Sequence, residues 1–184
     1  EVLVPVLGRG GSSPPSRTRR PGAHGSGPLP FPGSSATTSA AEGTVPVMAL
    51  DDDARQALLA QPLTPILAIE RPGHPPIAVP VWHAYEPGGD AWILIGEDSE
   101  KARLLRQAGR ATLVVQEVAP RTRYAAASCD VVEERPATDA ERRALAERYL
   151  PAHEVQQYLD VAESFGPEVV VVLRPVAWRA ADLG

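Results

Sequence analysis

The sequence predicts a mainly β domain with short inserted helices, an antiparallel barrel that follows a long irregular segment. Three observations carry this. Six strand-like apolar runs lie between Thr64 and Trp178, most of them joined by connections of hairpin length. Helical patterns follow only some of these runs, whereas a doubly wound parallel sheet needs one after nearly every strand. Of the 20 Pro and 15 Gly in the 184 residues, eight of each fall within the first 47 positions, where no periodic apolar pattern occurs.

Residues 1–47 read as a disordered tail, because so Pro/Gly/Ser-rich a stretch cannot bury enough apolar surface to offset the entropy of ordering it. Arg9, Arg17, Arg19 and Arg20 against Glu1 and Glu42 make it +2, and with a net charge of −5 the remainder carries −7. A basic arm for an anionic partner and a targeting peptide are two functional readings. The preferred one is that Met48, directly before Ala49-Leu50-Asp51, is the natural start.

From Met48 the elements follow in order. Asp51–Ala60 reads as a helix, with acids in its first turn, an apolar edge at Leu58 and Leu59, and Pro62 beyond its end. Thr64–Glu70 is a strand, and Arg71–Pro76 a turn-rich connection. Ile77–Tyr85 is the second strand, closed by Pro87-Gly88-Gly89. Ala91–Ile95 is the third, apolar enough to be buried on both faces. Asp98 or Ser99 caps a helix through Ala108 that packs on Ala102, Leu104 and Leu105. Ala111–Val118 and Tyr124–Glu133 are strands four and five. Thr138-Asp-Ala-Glu141 has the form of a capping box for a helix to about Leu150, and Pro151 opens another ending near Gly166. Glu168–Trp178 is the last strand.

Composition excludes several function classes. A mild acidic balance gives no reason to expect a nucleic acid or an anionic membrane as partner. The single Cys129 can close no internal disulfide and supplies no Cys-based zinc site. The longest apolar run, Val169–Leu173, is far too short to span a bilayer, and the expected location is the cytoplasm. Dinucleotide and phosphate-loop glycine patterns and the Gly-x-Ser-x-Gly elbow are missing after any strand. His24, His74, His83 and His153 are scattered without an i, i+4 pair, so no metal site is expected. Cys129, inside a β-rich run, reads as a small buried hydrophobe. His83 reads as half-exposed, on the strand face opposite Trp82.

One basic residue stands apart: seventeen are Arg and the exception is Lys101, in Ser99-Glu100-Lys101-Ala102-Arg103 at the start of the second helix. Unpaired amides, a hydroxyl, an ammonium and a guanidinium at a helix N-terminus can make a phosphate site. A capped surface helix whose cations face water is the plainer reading of the same residues.

Val79-Pro80-Val81-Trp82, Trp92-Ile-Leu-Ile95, Ser99-Glu-Lys-Ala-Arg103-Leu-Leu-Arg106 and Ala111-Thr-Leu-Val-Val115, in that order, resemble the flavin-binding split-barrel family related to pyridoxamine 5′-phosphate oxidase. Its actinobacterial branch, which includes deazaflavin-using enzymes, looks most similar. The resemblance covers about Leu50–Gly184. It implies a six-stranded split barrel forming a homodimer, with a cofactor (FMN, or alternatively the deazaflavin coenzyme F420) at the subunit interface. It assigns the cofactor phosphate to Ser99, Lys101 and Arg103, and the ring to the strand Val79, Pro80, Val81 and Trp82. Thr112 and Tyr124 are further cofactor or cross-subunit contacts. Trp82 and Trp178 are equally core or interface residues. No catalytic side chain is identified beyond Tyr124 or a water as a conceivable acid.

Two departures from the family pattern bear on function. Glu100 stands where FMN-binding members often carry an Arg, which leaves FMN and deazaflavin both open. Trp178-Arg179-Ala-Ala-Asp182 replaces the C-terminal Arg-x-x-Pro of true pyridoxamine 5′-phosphate oxidases, so that reaction is not expected. The resemblance implies an oxidoreductase passing hydride between its cofactor and a small conjugated substrate. The alternative is a non-catalytic flavin or haem carrier.

Overall fold

The computed structural model describes residues 47–184. The tail reading of residues 1–47 therefore lies, except for Val47, outside the described residues.

Eight strands and four α-helices follow one another: β1 (Met48–Ala49), α1 (Asp52–Leu59), β2 (Ile66–Ile69), β3 (Ile77–Pro80), β4 (His83–Tyr85), β5 (Ala91–Gly96), α2 (Glu100–Ala108), β6 (Arg110–Glu117), β7 (Arg123–Pro136), α3 (Asp139–Tyr149), α4 (Ala152–Ala162) and β8 (Glu168–Asp182), with a 3₁₀ turn over Glu163–Phe165. Local chemistry explains the helix boundaries. Asp51 Oδ1 accepts the Ala54 amide at 2.8 Å, and the Thr138 and Glu141 side chains form the expected capping box. Gly109, at φ 63°, ends α2 in the left-handed conformation that glycine adopts without a Cβ clash.

All strand pairs are antiparallel, in the order β3-β2-β6-β7-β8-β5-β4, with β1 added to β8. The terminal strands of that order, β3 and β4, are consecutive in the chain and separated only by Val81 and Trp82. Three residue steps reach at most about 11 Å, so the two edges of the sheet adjoin and the sheet rolls on itself. The Val81 amide, donating to the Pro65 carbonyl at 3.0 Å, holds the crossing. Six strands were expected. The second expected strand divides here into β3 and β4, and β1 is extra.

β7 and β8 also run longer than predicted. They pair over almost their whole length, with register shifts at Ser128/Cys129 and Val131/Glu133. Pro175 faces Cys129 at the first shift, where a missing N–H is tolerated. Long-range hydrogen bonding thus carries both strands past residues that weaken a local strand pattern.

Residues at odd positions from Val79 to Tyr85 point inward with Leu67, Ile93, Leu113, Ala127 and Leu173, and α1 and α2 cover this core with Leu58, Leu59, Leu104 and Leu105. β5 is not buried on both faces as expected: Ala91, Ile93 and Ile95 are buried, whereas Trp92 and Leu94 are half-buried.

The outer face of β3-β2-β6-β7-β8 carries one row of small residues beside a bulkier one. One row across it is Ala78, Ala68, Thr112, Ser128 and Ala177; the next is Pro80, Ile66, Val114, Ala126 and Arg179. Ile66 is 40% exposed, and Val176 beside this face 58%.

Candidate functional site

The sequence pattern directs attention to the start of α2. Ser99 is its N-cap: the amide donates to Gly96 O at 3.1 Å and Oγ accepts the Ala102 amide at 3.2 Å. The amides of Glu100 and Lys101, in the first turn, lie ahead of any intrahelical acceptor. Lys101 is half-buried and, among the described residues, enters no ion pair. Arg103 is exposed. Glu100 does not point away from these cations: its Oε1 lies 3.4 Å from Arg71 and 3.8 Å from Arg103. Glu97 and Asp98 stand exposed on the preceding turn, so any anion held here is held by directed donors rather than by a surplus of positive charge.

Arg71 links this turn to the outer sheet face. It lines an open groove of about 480 Å³ with Ala68, Glu70, Gly73, His74 and Thr112. Ala68, Glu70 and Thr112 also line an adjoining groove of about 380 Å³ that continues across Ser128 to Val176. Thr112 thus lines both grooves. Tyr124 shares its sheet face, but it pairs with Gln116, four residues along β6 from Thr112, about 13 Å away.

The stretch Val79–Trp82 divides its side chains among three environments. Val79 packs against the core and Val81 is 4% exposed within it. Pro80 alone looks out onto the outer sheet face, beside Ile66. Trp82 is covered by the helical pair α3–α4: its indole stacks on Tyr149 at 5.1 Å with 4° between planes, and Tyr158 lies at 5.0 Å. Its side chain therefore packs the helices onto the barrel. Trp178 is half-buried next to Tyr85, under the Arg55 guanidinium at 5.4 Å.

His83 departs from the expectation of half exposure. It is fully buried, because the two-residue period puts it on the inner face with Val81 and Tyr85. Its ring is satisfied on both sides, by Leu59 O at Nε2 and Tyr149 Oη at Nδ1, each at 2.7 Å. Burial pushes its pKa down to about 4, the Leu59 hydrogen bond opposing and Arg148 adding to the shift. Arg148 also donates to the carbonyls of Ala60 and Gln61, at 2.6 and 3.0 Å, so that two consecutive residues at the end of α3 hold the end of α1. No local pattern marks this cluster, whose members lie 24 to 88 positions apart in the chain. Cys129 is buried as expected, and desolvation raises its thiol to about 12. Among the described residues no group of His, Cys, Asp and Glu could hold a metal ion, and no helix is long and apolar enough to cross a membrane.

No family model and no curated protein matches the chain. Solved structures do. An F420 reductase is 25% identical over 67% of this chain and 94% of its own, with a TM-score of 0.54. A conserved hypothetical protein from Mycobacterium tuberculosis is 14% identical over 74% and 87% of the two chains, at 0.53. An FAD-binding protein from Mesorhizobium loti is 13% identical over 75% and 99%, also at 0.53. These likenesses and the strand order show a mainly β fold of the split-barrel type, the fold that the sequence motifs implied.

Proposed function

We propose that the protein is a homodimeric, cytoplasmic oxidoreductase that binds a flavin-type coenzyme, FMN or the deazaflavin F420, against the outer sheet face. The observation that carries the reading is that Arg71, which lines the Thr112 groove, also pairs with Glu100 in the first turn of α2, at 3.4 Å. The donor set fits a phosphorylated coenzyme: the Glu100 and Lys101 amides, the Ser99 hydroxyl, the Lys101 ammonium and the Arg103 guanidinium suit a phosphate.

In this reading Ser99, Lys101 and Arg103 anchor the phosphate. Pro80 and the backbone of the edge strand β3 border the ring, while Val79 and Val81 hold that strand to the core. Thr112 lies on the groove floor, and Tyr124 serves the same face farther along, as a cross-subunit contact. The exposed apolar Ile66 and Val176, next to the row of small residues, suit a second copy, since an isologous contact would cover them and complete the groove from both sides. The coenzyme, once bound, supplies hydride transfer to or from a small conjugated substrate. The chain contributes binding, orientation and exclusion of water.

Fluorescence titration with FMN and with F420, alongside sedimentation of the protein, tests this. Micromolar binding of either coenzyme by a dimer, weakened at least about tenfold in Lys101→Ala, is expected for loss of a charge-assisted phosphate contact. Unchanged affinity in that variant removes the phosphate assignment. Binding without turnover across quinones and conjugated tetrapyrroles would instead identify a carrier.

A further inference from the structure

Trp82, Tyr149 and His83 form a connected set that the coenzyme reading does not use. The Tyr149 ring lies parallel to the Trp82 indole, and at its other end Oη sits 2.7 Å from Nδ1 of the buried His83. His83 Nε2 is 2.7 Å from the Leu59 carbonyl oxygen. A carbonyl only accepts, so Nε2 carries the ring proton and Nδ1 presents its lone pair. The Tyr149 hydroxyl therefore donates to Nδ1. Its other acceptors, the carbonyls of Leu63 and His83, are more distant at 3.2 Å.

We propose that Trp82, Tyr149 and His83 are a one-electron relay, in which an oxidising equivalent reaching Trp82 passes to Tyr149 as the phenolic proton moves to His83. The oxidant is a photoexcited or otherwise strongly oxidising one-electron acceptor that takes one electron from the indole. One electron then crosses the stack from Tyr149 to the Trp82 radical cation, and the O–H bond breaks as an N–H bond forms at Nδ1. The products are neutral Trp82, a neutral Tyr149 phenoxyl radical and an imidazolium at His83; electrons and protons balance, and the positive charge moves from Trp82 to His83.

The geometry meets the demand of this chemistry. A phenol that loses an electron becomes strongly acidic, so a buried tyrosine is oxidised readily only where a base already accepts its proton. His83 is that base, held in the required tautomer by Leu59. Burial and Arg148 disfavour the imidazolium, which returns the proton when the radical is reduced. Removing stray oxidising equivalents from a flavin-type coenzyme would be the use of such a relay. That use rests on the preceding proposal, whereas the competence of the relay does not.

The test uses the full chain without added coenzyme and an external oxidant, tris(bipyridine)ruthenium(III) generated by a light flash, followed by electron paramagnetic resonance of trapped samples. A neutral tyrosyl radical is expected, absent from Tyr149→Phe, where a tryptophan radical persists, and retained in Tyr158→Phe. In His83→Gln the tyrosyl radical should form more slowly, with an altered solvent deuterium isotope effect, which a purely packing role would not produce. In wild-type protein carrying ¹⁵N-histidine, coupling of the radical to a histidine nitrogen through an exchangeable proton is expected, and this readout needs no variant. An undiminished tyrosyl signal in Tyr149→Phe, a wild-type radical confined to tryptophan, or no histidine coupling overturns the proposal.

Discussion

Acid should unfold this protein through His83 before most carboxylates matter. The imidazole is fully buried and neutral, donating from Nε2 to Leu59 and accepting from Tyr149 at Nδ1. Its pKa falls from 6.5 to about 4 on folding. The unfolded chain therefore binds the proton first, so stability is fully present above pH 6.5 and is lost as pH falls towards 4. A shift of this size corresponds to about 3 kcal/mol across that window. Urea unfolding of wild type and His83→Gln at pH 7, 6, 5 and 4.5 isolates the contribution. At pH 7 the variant should be the less stable, since a buried hydrogen-bonded ring is lost. The gap between the two should shrink steadily on acidification, because only the wild type has this group to protonate. Parallel stability curves from pH 7 to 4.5 would refute the reasoning, showing that His83 is accessible to protons in the folded state.

Further outcomes follow from the same contacts. Trp82→Ala, which deletes the surface on which Tyr149 and Tyr158 pack, should cost about 2 kcal/mol in urea melts and speed hydrogen exchange in α3 and α4 more than in β7. Cys129, with its thiol raised to about 12, should resist a disulfide reagent at pH 8 in the folded protein and react fully in urea; rapid reaction without denaturant would contradict its burial. Glu100→Gln should tighten coenzyme binding about fivefold, close to 1 kcal/mol, by freeing Arg71 and Arg103 from a competing carboxylate. Weaker binding in a fluorescence titration would mean that Glu100 orients those guanidiniums rather than competing for them.

The helices were legible because their signals are local. Ser99 caps α2, Gly109 ends it, and the Thr138/Glu141 box starts α3. The strands were legible in their centres, where alternation is strong, and less so at their ends. β7 and β8 are extended by each other's hydrogen bonds, and the second expected strand breaks at Val81-Trp82, where the chain passes from one edge of the sheet to the other. Of the expected site residues, Ser99, Lys101 and Arg103 lie together because they belong to the start of one helix, whereas Thr112 lines a separate groove whose Arg71 pairs with Glu100. No local pattern sets Arg71 apart, because its pairing with Glu100 joins a turn to a helix 29 positions away.

By itself, the order of apolar periods, caps and turns determined a mainly antiparallel β domain with four short helices and a capped helix start bearing Lys101 and Arg103, because each of those features depends on residues only a few positions apart. Only the tertiary structure decided that Val81 and His83 face the interior, that Trp82 lies under α3 and α4, and that Leu59, His83 and Tyr149 meet. Those contacts join residues 24 to 76 positions apart, and their energies exist only once the sheet has rolled and the helices have docked upon it.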